Sequence, residues 1–325
     1  MSRIVSRPIR VVDVGSRFGV HPSFRPIVSL CDFDLFEADP EECDRLLIKY
    51  SSDDVSVRIF QYAAGSQRAD GGKAKLHRHR NPAVSSLLPR ADQDSPMYSA
   101  LGDEHCIVDS IEVPTCALDD LYLIESQKSP DFLKIDVEGL EPHVLNGSER
   151  LLSDIVAIRT EVSFCHLQQG SSKYGTWPEI HARLIDHQFT LLNLDYSGQG
   201  DFYSPYSANK YGMLRSTDAC YLKNVDEIIK NRDLALTGAI FCLLNNAEDV
   251  ALFLLDHSAQ LHGGFSPSLS ALESWTCRAL AAHFHKLKWQ PGQDREAHAR
   301  LFEKICNQPF PSVDRYNSSL FYNPT

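Results

Sequence analysis

An α/β domain on a mostly parallel sheet, continued by an all-α region, is the architecture that three features of this sequence predict. Between residues 10 and 220, short β-branched or apolar runs alternate with stretches of helical period. Several of those runs end at glycine or an acidic residue, as buried strands feeding helix-opening turns do. After about residue 223 the strand-like runs stop, and apolar residues recur only at helical spacing.

Taken in order, Arg10–Val14 is a short buried strand ending at Gly15, and Phe33–Ala38 is a second. Asp39-Pro40-Glu41-Glu42 then opens a helix, with proline in its first turn. Ser56–Ala63 reads as a third strand. Gly65 to about Glu104 reads as one long polar loop, of the kind that is usually functional. Within it, Lys73–Arg80 is expected to be a solvated basic segment, with His77 and His79 exposed. Cys106–Thr115 is a strand or hairpin, followed by a helix at Leu118–Ser126. Asp131–Val137, Ile155–Val162, Phe189–Leu194 and Ala219–Lys223 are further strands, with helices at Pro142–Leu152 and Trp177–His187. Beyond them, Asn224 and Glu227 have the spacing of a capping box. Helical runs follow at Glu248–His257, Ser268–Leu287 and Asp294–Cys306. The division is thus a domain over 1–222 and a helical region over 223–325.

Composition narrows the function. The formal charge of −11 opposes a broad phosphate-binding surface, so no nucleic-acid partner is expected. The longest apolar stretches fall far short of the ~20 residues that a bilayer requires, and no membrane partner is expected. Met1–Arg10 lacks an apolar signal core. Nine scattered cysteines without a CxxC pair suit reduced thiols, and with them a cytoplasmic setting. No Cys/His cluster has zinc spacing, and no metal is expected.

Three motifs carry chemistry. Val12-Asp13-Val14-Gly15-Ser16-Arg17-Phe18-Gly19 is a strand running into Gly-x-x-x-Gly, a turn that lets backbone pass close beneath a ligand. Glu37 lies eighteen residues beyond Gly19 at the end of the second strand, where an acid can accept from both hydroxyls of an adenosine ribose. A dinucleotide turn would carry glycine at position 17, and this chain has arginine. S-adenosylmethionine has no pyrophosphate to accommodate, and acids such as Asp13 and Asp136 complement its cationic end. The third motif is Lys134-Ile-Asp-Val-Glu-Gly-Leu-Glu141, followed by Val144-Leu145-Asn146-Gly147.

These residues resemble the FkbM family of methyltransferases, whose strand end reads Lys-Ile-Asp-Val-Glu-Gly-x-Glu before Val-Leu-x-Gly. Leu118-Asp119, Ala63-Ala64-Gly65 and Asp218-Ala-Cys-Tyr221 are similar as well, so the likeness covers about residues 9–222. It implies a Rossmann-like class I methyltransferase sheet of seven strands, the last antiparallel, with S-adenosyl-L-methionine as donor. The acceptor it implies is a hydroxyl on a sugar, polysaccharide or secondary metabolite, that is, a small-molecule or glycan partner. Residue by residue, it places Asp13, Gly15, Ser16 and Gly19 along the cofactor, Glu37 on its ribose, Ala64 near its adenine and Asp136 near its methionine end. Ser85 and Ser86 match a looser contact segment.

Methyl transfer to oxygen also needs a base. Asp136 and Glu161 end adjacent strands, Glu138 lies two residues past Asp136, and His166 follows the fifth strand; all four are candidates, Asp136 with a cofactor role as its alternative. Glu138 is expected to cap the next helix. Two other classes remain open: a nicotinamide-dependent oxidoreductase on a similar sheet, and a non-catalytic methyltransferase-like binding module. A homo-oligomer is compatible with either region.

Overall fold

Ile9, Val11, Val12 and Val14 are buried on both faces of strand β1 (Ile9–Val14), so this strand can only sit inside a covered sheet. The computed structural model places it there; it describes residues 7–52, 54–65, 72–89, 106–124, 129–164, 176–195, 201–203 and 213–262. The chain divides into two units, Pro8–Asn224 and a second made of Met1–Arg7 and Val225–Thr325.

In the first unit, β1 pairs in parallel with β2 (Cys31–Glu37) and β2 with β3 (Ser56–Gln61). On its other side β1 pairs with β7 (Phe132–Ile135), and β7 with β8 (Ala157–Ser163), again in parallel. The final strand β11 (Met213–Lys223) runs antiparallel to β8. Its far edge carries β9 (Phe189–Asp195) and the short β10 (Asp201–Tyr203) end to end. The order β3-β2-β1-β7-β8-β11-β9 is a Rossmann-like α/β sheet of the class I methyltransferase kind, with β10 as an eighth strand on the path. Every parallel strand of the first half therefore ends at the same rim, where such sheets bind ligands.

One face packs Val12, Val14, Phe36, Leu133, Ile135, Ile158 and Val162 against helices. Those helices are α2 (Leu118–Ile124), α3 (Glu141–Asn146), α4 (Leu151–Asp154) and α5 (Trp177–Asp186). Against the other face lies a 3-10 run, Pro22–Leu30, whose Phe24 stacks on Phe132 and tilts onto Phe33, both at 6.3 Å. Helix α1 (Pro40–Tyr50) begins as expected, with Asp39 as its N-cap and proline in the first turn.

The structure corrects three expectations. Lys73–Arg80 is not a solvated loop: β5 (Lys73–His79) pairs antiparallel with β6 (Ile107–Cys116), and β4 (Ala63–Ala64) joins β6 on its other edge. His79 is buried, and His77 Nδ1 lies 2.9 Å from Ser110 Oγ. Alternation turns Leu76 inward, and the bulge between Arg78 and His79 breaks it so that His79 is buried as well. The segment from Pro142 to Leu152 forms two short helices around Gly147, whose pro-chiral hydrogen faces Gly65 O so closely that a Cβ would stand 1.9 Å away. Finally, β11 begins six residues earlier than Ala219.

From Val225 onward, the described part of the second unit is helical: α6 (Val225–Ile228), α7 (Arg232–Leu244) and α8 (Glu248–His262). Asn231 caps α7 by accepting from Asp233 N and Leu234 N. The runs at Ser268–Leu287 and Asp294–Cys306 lie outside the described residues. The six described cysteines are free thiols, and no described helix is long and apolar enough to cross a membrane.

Candidate functional site

A cavity opens at the carboxyl ends of β1, β2 and β7, lined by residues of all three strand tips. Its floor exists because Gly15 has no side chain. Gly15 adopts φ +80°, and a Cβ there would lie 1.8 Å from Asp136 O, so the tips of β1 and β7 touch backbone to backbone. Gly15 N and Ser16 N both donate to Phe36 O, at 3.0 and 3.1 Å, which ties the turn to β2. Gly19 closes the turn at φ +87°, where a Cβ would meet Tyr50 Oη at 2.3 Å.

Of the residues singled out by sequence, Gly15, Glu37, Ala64 and Asp136 line this cavity together, with Ser85 and Ser86 opposite them. Ser16 does not: its hydroxyl is buried and donates to Phe36 O at 3.1 Å, so it braces the turn. Asp13 lies beneath the cavity, fully buried, accepting from His21 N at 3.1 Å. Gly19 acts through the turn alone. His166 lies outside the described residues.

Glu37 is largely buried, and one of its oxygens accepts Asp39 N–H at 2.8 Å. Its other oxygen has no protein partner among the described residues. Burial holds its carboxyl above the usual range, against the opposing pull of the Asp39 N–H. Beside it, Arg17 occupies the position a dinucleotide turn would give to glycine; it lines the cavity and reaches Asp39 at 3.3 Å. Arg78, from β5, grips the other Asp39 oxygen at 2.5 Å and Glu41 at 3.1 Å. The β1 turn leads into the 3-10 run Pro22–Leu30 and not directly into an α-helix.

At the rim beyond Asp136, the carboxylates of Asp136, Glu138 and Glu161 each place an oxygen within 4.8 Å of the others. Three hard oxygens at that spacing could also hold a divalent cation. Glu138 takes φ 58°, a left-handed conformation uncommon outside glycine, and its carbonyl accepts from Ser86 Oγ at 2.9 Å. It is not the helix cap expected from sequence. No side chain caps that helix; Glu141, in its first turn, instead ties down the preceding turn by accepting from Val137 N at 3.0 Å and Gly139 N at 3.1 Å. Burial pushes the Glu141 carboxyl up to about 7 despite those bonds. Glu161 is raised well above its ordinary value, first by burial and then by Glu138, Asp136, Glu141 and Asp218. Its carboxylate makes no hydrogen bond or ion pair with the described residues.

Arg17, Arg78 and Lys134 escaped the sequence reading as parts of the site. For Lys134 a signal existed, since a charge inside an apolar strand must find partners to be buried.

The FkbM methyltransferase domain matches residues 13–196, more than half of the 325 residues. No curated protein matches the chain significantly. Among solved structures, it is similar to a precorrin-6y C5,15-methyltransferase from Geobacter metallireducens, at 10% identity and TM-score 0.31, over 68% of this chain and 84% of that one. It is also similar to Sp1610 of Streptococcus pneumoniae, at 10% identity and TM-score 0.34, over 93% of both chains. TehB of Haemophilus influenzae is similar at 9% identity and TM-score 0.33, over 69% and 60%. Likenesses this slight carry no argument, and the assignment rests on the domain match. The motifs that form the cavity floor and rim fall within the matched residues, and the chain belongs to the FkbM methyltransferase family.

Proposed function

We propose that this chain binds S-adenosyl-L-methionine in the cavity over Gly15, Glu37 and Asp136 and methylates a hydroxyl of a small-molecule or glycan acceptor. The observation that carries this reading is convergence. Residues 15, 37, 64 and 136, far apart in sequence, line one cavity at the strand rim with carboxylates at both ends. When bound, the cofactor supplies a methyl group on a cationic sulfur, which an acceptor oxygen displaces.

The chain's own residues divide the remaining work. Glu37 offers its second oxygen to the ribose hydroxyls, and Ala64 leaves room for a flat base beside Tyr62 and Phe36. Asp136 presents its charge to the cationic end. Sequence leaves Asp136 open between base and cofactor contact, beside Glu138, Glu161 and His166 as candidate bases; of those within the described residues, we favour Glu161. Asp136 lines the cofactor cavity and is already engaged by Lys134, whereas the Glu161 carboxylate is uncommitted. Burial and the neighbouring acids hold its carboxyl well above the usual range, which makes it a stronger base than an ordinary carboxylate.

Calorimetric titration with S-adenosylmethionine and with NAD(P) tests the reading. Saturable binding of the first, and no binding of the second, is expected. Binding of a nicotinamide cofactor alone would overturn it. A cofactor that binds without turnover on any hydroxyl acceptor would instead favour a non-catalytic module.

A further inference from the structure

Lys134 stands in the middle of β7, with Asp13 of β1 and Arg159 of β8 as its register neighbours. Its side chain is 4% exposed. Nζ lies 3.3 Å from Asp13 Oδ1 and 3.4 Å from Asp136 Oδ2, and it donates to Gly15 O at 3.3 Å. A buried ammonium without partners would lose its proton; the two carboxylates hold this one in the charged form.

The contacts do more than neutralise a buried charge. Asp13 alone would serve that purpose, because it is fully buried and accepts His21 N–H with its other oxygen. Asp136 differs: its side chain is 37% exposed and lines the cavity. Lys134 therefore joins a buried anchor to an exposed carboxylate, and its third contact fixes the glycine turn on which the cavity floor depends. Two acids and one base leave a net negative charge, and Asp136 carries it to the cavity.

We propose that Lys134 is a positioning residue that presets Asp136 and the Gly15 turn, and so selects ligands bearing an amino-acid end, whose α-ammonium group meets the Asp136 carboxylate. The proposal rests on the S-adenosylmethionine reading, and the experiment separates the two. Two probes are compared by calorimetry at one pH: S-adenosylhomocysteine, which keeps the amino-acid end, and 5′-methylthioadenosine, which lacks it. The variants are K134R, which keeps the charge but changes its shape and reach, and the double variant D13N/K134M. The double variant avoids leaving two buried acids uncompensated.

In D13N/K134M, S-adenosylhomocysteine affinity is expected to fall about tenfold or more while methylthioadenosine affinity changes less than about threefold. K134R is expected to recover part of that difference. A merely structural lysine predicts equal losses for both probes, or none, and either result in a folded variant overturns the proposal. Should the double variant not fold, an unchanged affinity ratio in K134R overturns it and a lowered ratio supports it. Failure of the wild-type protein to bind S-adenosylhomocysteine would overturn the cofactor reading itself, and this proposal with it.

Discussion

At the scale of single residues, Glu161 concentrates the chemistry. Its carboxyl is half-buried and crowded by Glu138, Asp136 and Glu141, so its proton leaves only at a pH well above the ordinary carboxylate range. A base must be deprotonated to act, so kcat is expected to rise with pH through that elevated value. E161Q should lower kcat by roughly 10²–10⁴-fold, abolish that limb of the pH profile and leave S-adenosylhomocysteine binding nearly unchanged. A variant that keeps the limb would transfer the role to another group. Glu37 was legible because strand end and spacing sufficed to place it. Lys134 and Arg78 were not, since what defines them is a partner 121 and 39 residues away, respectively. No local pattern encodes those distances.

Elements set how closely the strand rims approach. The β1 turn works because two backbones meet at Gly15, and the left-handed φ there is a second reason for glycine. G15A should therefore cost about 2–4 kcal/mol in chemical denaturation and lose cofactor binding. At Gly65 a Cβ meets nothing within 4 Å, and G65A should stay within about 0.5 kcal/mol of the parent. Equal effects at both positions would contradict this account of the cavity floor. Strand and helix order was readable from hydrophobic period. The β5–β6 pairing was not, because a basic run with its apolar residues on one side reads as loop until its partner strand is known. The break between α3 and α4 was hidden for a similar reason, as the close approach of Gly147 to Gly65 is a tertiary fact.

For the whole sheet domain, the buried acids make stability depend on pH in an unusual direction. Glu37, Glu141, Glu161 and Asp218 all hold their protons more tightly when folded than in an unfolded chain. The folded state thus binds more protons, and stability falls as pH rises through the folded values. His21, pushed down to about 4 by burial and Lys134, works in the opposite sense, but only below the ordinary histidine value of ~6.5. Between about pH 6.5 and 8 Glu141, held up to about 7, is left to titrate, and Tm is expected to decline. E141Q, which keeps an acceptor for Val137 N and Gly139 N, should flatten part of that slope. A Tm that climbs across the window would contradict it.

The central claim is that one nucleoside cofactor lies across the rim of β1, β2 and β7. A crystal structure of the full chain grown with S-adenosylhomocysteine tests it most directly. The account predicts both ribose hydroxyls on Glu37 and the amino-acid end beside Asp136. A ligand bound elsewhere, or a Glu37 carboxylate without contact to the sugar, would contradict it.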